Sequence, residues 1–255
     1  MENFKDVTFI IPVRFDSEDR RRNFKICIDY LLNNFDTNII VLESDKVSNE
    51  EFVKSVSSHI KYVFEFNKNK LFHRTRLLND MTKIANTNII VNYDVDVIFP
   101  LNQYIEARQK IIDGADMVFP YEGKFYDIPD KFFDKIKNNK LEDINLNKCT
   151  LFNPNSVGGA IFFNKTRYHS IGLENENFVS WGHEDWERVM RIKIMGHRME
   201  RTGGVLYHLT HSRTSNSSDK NPYYKFNGEE YQKIRRMNKE QLQDHINKWP
   251  WINSH

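Results

Sequence analysis

The stretch NIIVNYDVDVIFP (88–100) decides the fold. Its first half is a short apolar run rich in β-branched residues, the pattern of a strand buried inside a sheet. It closes on two carboxylates, Asp94 and Asp96. In an extended chain positions i and i+2 lie on one face, so both would crowd the same small region. Such a pair repels, and one member takes up a proton unless a cation sits between them. Either the strand ends in water or the pair holds a metal ion.

Working outward, strand and helix patterns alternate. VTFIIPV (7–13), NIIVLES (38–44) and HIKYVFEF (59–66) read as strands. A helix is expected from about Glu18 to Asn34. A second lies within LFHRTRLLNDMTKIAN (71–86), with Leu77, Leu78, Met81 and Ile84 on one side. This alternation predicts an α/β fold, a mostly parallel sheet covered by helices on both faces. Ligands of such sheets gather outside the carboxyl ends of the strands, where Asp94 and Asp96 stand. No G-x-G-x-x-G or Walker-type loop occurs, which weighs against dinucleotide oxidoreductases and P-loop enzymes. The second half is less regular. A helix (101–113) and a strand (115–121) precede a polar, Lys- and Asn-rich segment (122–150). A strand opened by a Gly pair (156–164), a loop and helix ending at Gly196 (177–199) and a last strand (203–213) follow. The Ser/Asn-rich residues 214–221 read as mobile, and a polar helix is expected over 228–247.

Composition bounds the answer. The 255 residues are 39% hydrophobic and 28% charged, a balance expected of a soluble globular protein, and the net charge of +2 argues against a nucleic-acid partner. Cys27 and Cys149 have no metal-type spacing and suit a reducing compartment. The opening MENFKDVTFI shows neither a signal peptide nor a membrane span, so a cytoplasmic location is expected.

Two further clusters could carry chemistry. In Trp181-Gly182-His183-Glu184-Asp185-Trp186, two acids open a helix whose dipole favours them as anions. The flanking tryptophans suit a sugar cleft, with ring faces toward the sugar and acids toward its hydroxyls, and a carboxylate there could serve as general base. His208 and His211 can converge on one ion only if the chain turns between them, and Ser212-Arg213-Thr214-Ser215-Asn216 favours a turn.

Together these pieces resemble a GT-A glycosyltransferase of the β-1,4-galactosyltransferase type. Ile11-Pro12-Val13-Arg14 resembles the family's I-P-F-R, and Phe72-His73-Arg74-Thr75-Arg76-Leu77-Leu78-Asn79 its F-N-R-A-K-L-L-N. Asp94-Val95-Asp96-Val97-Ile98-Phe99-Pro100 resembles D-V-D-L-I-P, and Val157-Gly158-Gly159 resembles F-G-G. Trp181-Gly182-His183-Glu184-Asp185 is similar to W-G-G-E-D, and His211-Ser212-Arg213 matches H-S-R. The resemblance implies a nucleotide-sugar-binding part (1–100), an acceptor-binding and catalytic part (101–215) and a helical tail (216–255). It implies that Pro12, Val13, Arg14, Phe72 and Arg74 hold the uridine diphosphate of a UDP-sugar, with Asp94 and Val95 beside the donor. Glu43, at the end of the second strand, is an added candidate for the uracil or ribose. Asp96 and His211 would ligate Mn²⁺, Gly159 would let the chain approach the donor, and Trp181 would line both substrate sites. Asp185 would be the catalytic base of an inverting transfer and Glu184 would bind sugar hydroxyls.

Three departures shape the expectations. His208 stands where the family has a methionine metal ligand, and a harder ligand favours Mg²⁺ as an alternative ion. Trp186 replaces an acid after E-D, and Ser156 replaces a bulky aromatic, leaving room for the N-acetyl group of UDP-GalNAc or UDP-GlcNAc beside UDP-Gal. The acceptor would be a glycan or a lipid-linked oligosaccharide, as in the synthesis of a surface polysaccharide. Arg235, Arg236, Lys239, Lys248 and Trp249-Pro250-Trp251 could rest on an anionic membrane, or the tail could simply pack on the domain. Rival readings are a retaining GT-A transferase and a non-catalytic carbohydrate-binding protein.

Overall fold

The structure, a computed structural model, describes residues 1–212 and 221–253. In chain order the first part comprises β1 (Glu2–Val13), α1 (Glu18–Asn34), β2 (Phe35–Asp45), α2 (Glu50–Val56), β3 (Lys61–Phe66), α3 (Arg74–Ile84) and β4 (Ile89–Tyr93). Next come β5 (Val97–Ile98), α4 (Leu101–Ile112), β6 (Met117–Phe119), β7 (Phe125–Ile128), α5 (Phe133–Lys137), β8 (Thr150–Asn153), β9 (Ala160–Asn164) and α6 (Lys165–Ser170). The last are α7 (Glu184–Met195), β10 (Met199–Arg201), β11 (Leu206–Leu209), α8 (Tyr224–Arg235), α9 (Lys239–Ile246) and α10 (Pro250–Asn253).

Seven strands form the main sheet in the order β10-β6-β9-β4-β1-β2-β3. β1 pairs in parallel with β2 and β4, β2 with β3, and β6 with β10, while β9 runs antiparallel to both its neighbours. The strand period sorts the side chains. Phe9, Ile11 and Val13 of β1 join Phe24, Cys27, Ile28 and Leu31 of α1 on one face. Ile10, Ile40, Leu42 and Ile90 meet Leu77, Leu78 and Met81 of α3 on the other. Helices therefore cover both faces, and each buried Leu, Ile or Phe contributes roughly 1.5–3 kcal/mol. Ser17 caps α1 by accepting the Arg20 N–H at 3.2 Å. Ile84, expected on the apolar side of α3, is 37% exposed, and Ala85 takes the buried place.

The opening strand corrects the first expectation. β4 stops at Tyr93, and Asp94-Val95-Asp96 is a turn rather than extended chain. The Val97 N–H reaches the Asp94 carbonyl at 3.4 Å, and Leu209 N–H holds the Asp96 carbonyl at 2.8 Å. The two carboxylates consequently meet different partners instead of sharing one strand face.

Two other expectations shift. The polar segment 122–150 contains β7 and leads into β8, which with β5 and β11 form a second, four-stranded sheet in the order β5-β11-β7-β8. The single helix expected over 228–247 is two, α8 and α9. Asn238 caps the second in a capping box with Gln241. Trp249 is buried, stacked on Trp251 at 4.9 Å and packed against Gly172, so this part of the tail packs on the domain. No helix among the described residues is long and apolar enough to cross a membrane. Arg213 and the Ser/Asn-rich residues through 220, including most of the stretch read as mobile, lie outside the described residues.

Candidate active site

At the carboxyl edge of β1 and β4 a cavity of about 520 Å³ opens. Pro12, Val13 and Arg14 enter it from the end of β1, Phe72 and Arg74 from the approach to α3, and Asp94, Val95 and Asp96 from the turn after β4. Gly159, Trp181, Glu184 and Asp185 line the opposite part, with His208 and His211 beside Asp96. Of the residues expected at the site, Glu43 alone is not in this wall. It is fully buried, accepting hydrogen bonds from the Asn49 backbone at 2.9 Å and side chain at 2.5 Å, and from the Tyr62 hydroxyl. Glu43 anchors the loop before α2, outside the cavity wall.

At one end stand Asp96, His208 and His211, whose ligand atoms all lie within 4.8 Å of one another. His208 sits on β11, held opposite Val97 in the β5 ladder. β11 ends at Leu209, so the chain leaves the extended state and His211 swings to the same side. His211 Nε2 is 3.2 Å from one Asp96 oxygen and His208 Nε2 3.7 Å from the other. The remaining ring nitrogens are occupied: His208 Nδ1 pairs with Asp127 at 2.6 Å, and His211 Nδ1 donates to the Ser212 carbonyl at 2.7 Å. Holding Nδ1 in this way aims Nε2 at a shared point, the usual support of a metal-binding imidazole. Burial pushes the Asp96 carboxyl up, but His208, His211 and Arg20 outweigh it and hold the group well below the ordinary carboxylate range. A carboxylate and two oriented imidazoles fit a divalent cation.

Two guanidinium groups also line the cavity. Arg74 donates to Asp94 from Nη2 at 2.7 Å and from Nε at 3.2 Å. Arg14 donates to the carbonyls of Ser44 and Lys70, at 2.8 and 3.0 Å, and lies over the Phe72 ring. Each keeps one buried nitrogen, Nη1 of Arg74 and Nη2 of Arg14, without a hydrogen-bond partner among the described residues. An unsatisfied buried cationic donor is costly, and both groups line the cavity, which therefore suits an anion.

At the other end the Trp181–Trp186 segment is sharply bent. Ser180, Gly182 and His183 all have positive φ, 62°, 113° and 69°. Gly182 is needed there, because a Cβ would come within 2.8 Å of the Tyr224 ring that stacks on Trp181. The bend delivers Glu184 and Asp185 at the start of α7. Glu184 is buried and accepts the Gly182 N–H at 2.9 Å. Burial, with the adjacent Asp185 charge, pushes its carboxyl up to about 7. Asp185 accepts a 2.9 Å hydrogen bond from Arg188 and reaches the backbone at Gly158. Gly159 has φ +83°, and its missing Cβ leaves room for Leu206 and Val97.

Comparisons with known proteins bear on this arrangement. Residues 141–214 match the family described as the N-terminal domain of galactosyltransferase, a span containing Glu184, Asp185, His208 and His211. A mannosyltransferase from Pyrobaculum calidifontis, solved with GDP-Man and Mn²⁺, superposes with a TM-score of 0.53 at 15% identity, over 82% of this chain and 58% of its own. The chain has the GT-A glycosyltransferase fold. The catalytic domain of Drosophila β1,4-galactosyltransferase 7, solved with xylobiose, aligns at 16% identity with a TM-score of 0.49. That alignment covers 79% of this chain and 65% of the other, so the chain spans just under two thirds of that structure. No curated protein matches the chain's sequence.

Several residues in or beside this cavity carry no local sequence signal. Arg20, from the first turn of α1, donates to Asp96 at 3.2 Å. Asp127 orients His208 from β7, and Tyr224 reaches the cavity from the tail. Gly158, the first glycine of the pair, provides the close approach to Asp185.

Proposed function

We propose that the protein is a cation-dependent, inverting glycosyltransferase. It moves a hexose or N-acetylhexosamine from a UDP-sugar to a hydroxyl of a glycan acceptor. The observation that carries this reading is a single cavity lined by three elements: the Asp96–His208–His211 donor set, the guanidinium side chains of Arg14 and Arg74, and the Asp185 carboxylate. The galactosyltransferase match over residues 141–214 supports a UDP-sugar donor. Ser156 in the cavity wall, a small side chain, is compatible with an N-acetyl group on that sugar.

Asp96, His208 and His211 would hold the cation, Mn²⁺ or Mg²⁺, and its charge would stabilise the diphosphate leaving group. Arg74 and Arg14 would place their positive charge beside the phosphate oxygens, where negative charge builds as the sugar–phosphate bond breaks. Asp185 takes the proton of the acceptor hydroxyl while that oxygen bonds to the anomeric carbon. The bond to phosphate breaks with its electron pair leaving on the nucleoside diphosphate, and attack from the opposite face inverts the anomeric centre. Trp181 and Trp186, 37% and 45% exposed at the cavity, offer ring faces to sugars.

Titration calorimetry of UDP and GDP, each with Mn²⁺, Mg²⁺ or chelator, tests the reading. UDP is expected to bind only with a cation, and proton NMR of the product is expected to show the inverted anomer. Cation-independent glycan binding with no nucleotide binding would replace the transferase by a carbohydrate-binding protein. Preference for GDP would redirect the donor to a GDP-sugar such as the GDP-Man of the Pyrobaculum enzyme.

A further inference from the structure

Behind Asp185 lies a buried ionic chain that the transfer step does not itself use. Arg188, one turn along α7, is fully buried. It donates to both Glu174 oxygens, from Nε and Nη2, at 2.7 Å each. Its third arm, Nη1, reaches Asp185 Oδ1 at 2.9 Å. Glu174 is as deeply buried and is braced in turn by the Tyr168 hydroxyl at 2.5 Å and the Asn92 amide at 3.0 Å. Asn92 lies on β4, whose end leads into the Asp94–Asp96 turn. A buried carboxylate–guanidinium pair is a poor source of net stability, because desolvation offsets most of the attraction. Its two-point geometry instead fixes direction.

We propose that Arg188, locked by Glu174, is a positioning residue that engages Oδ1 of Asp185 and leaves Oδ2 as the proton-accepting atom. Gly158 completes the arrangement. A Cβ built there would stand 2.3 Å from Asp185 Oδ2, closer than any real contact, so only glycine leaves that oxygen where it is. Gly158 is not in the positive-φ region, and the three nearest atoms an added Cβ would meet all belong to the Asp185 carboxylate, so alanine there acts first on that group. The inference rests on the base role given above to Asp185.

The experiment uses release of UDP from UDP-Gal, UDP-GalNAc and UDP-GlcNAc with Mn²⁺, water serving as acceptor, alongside calorimetric UDP binding. Glu174→Gln, Arg188→Lys and Gly158→Ala are compared with the wild type. Each is expected to lower kcat at least tenfold while the Kd for UDP and the KM for the donor stay within about threefold. A kcat within twofold of wild type for Gly158→Ala and for either buried-pair variant that folds would overturn the inference, as would a matched loss of UDP binding and kcat. Gly158→Ala keeps the test alive should both buried-pair variants fail to fold. Wild-type protein that binds UDP and Mn²⁺ yet turns over no donor would overturn the transferase reading itself, and this inference with it.

Discussion

Glu184 supplies a stability effect whose size and sign follow from its burial. Its carboxyl titrates near 7 in the folded protein against an ordinary value of 4.5. Between those values the folded state holds a proton that the unfolded chain has released. Stability from this group is therefore fully present below about pH 4.5 and is lost as pH rises through 7. At about 1.4 kcal/mol per unit, the full loss is on the order of 3 kcal/mol. Glu184→Gln keeps the shape and can still accept the Gly182 N–H, but never ionises. Urea denaturation at pH 5, 6, 7 and 8 reads the difference between variant and wild type. The variant is expected to gain stability relative to wild type steeply from pH 5 to pH 7 and to level off by pH 8, where its advantage is about 3 kcal/mol. A difference that is flat with pH, or that falls as pH rises, would refute the reasoning.

Four more outcomes are expected. Asp185→Asn should leave UDP binding nearly unchanged and cut transfer roughly 10²–10⁴-fold, measured by calorimetry and initial rates; parallel loss of both would remove its role as base. Trp186→Ala should raise the KM for a saccharide acceptor about tenfold, the order of one lost aromatic contact, with donor KM unaffected. His208→Met should lower the ratio of activity in Mg²⁺ to that in Mn²⁺, because a thioether is the softer ligand; an unchanged ratio would contradict the assignment of His208 to the cation. Gly172→Ala should destabilise by about 2–5 kcal/mol in denaturant melts. The glycine has φ +92°, and a Cβ would meet Trp249 at 2.7 Å and Ile246 at 2.9 Å.

The sheet and its ligand edge were legible because their signals are local. Apolar runs such as Val7–Val13 and Asn38–Ser44 sit almost entirely inside β1 and β2. The turn at Asp94–Asp96 was not legible, since Val95 continues the apolar alternation into a segment that has already left the strand. Glu43 stands at the end of a strand, a position that reads as functional; the fold pairs its carboxylate with Asn49 and Tyr62, away from the cavity wall. The second sheet was hidden because β7 and β8 are four residues each and lie in polar surroundings. Arg20, Asp127 and Arg188 act through partners far along the chain or through buried ion pairs, for which a charged residue in sequence gives no sign. By contrast, the break between α8 and α9 was readable in principle from the Asn238-to-Gln241 capping spacing.

The central claim is that Asp96, His208 and His211 grip one divalent ion against a nucleoside diphosphate. Anomalous diffraction at the manganese edge, from crystals grown with Mn²⁺ and UDP, tests it most directly. The expected result is one peak within bonding distance of the Asp96 carboxylate and both imidazole Nε2 atoms, with diphosphate oxygens on its far side and Arg74 beside them. A peak elsewhere in the cavity, or UDP seated with no metal at this cluster, would contradict it.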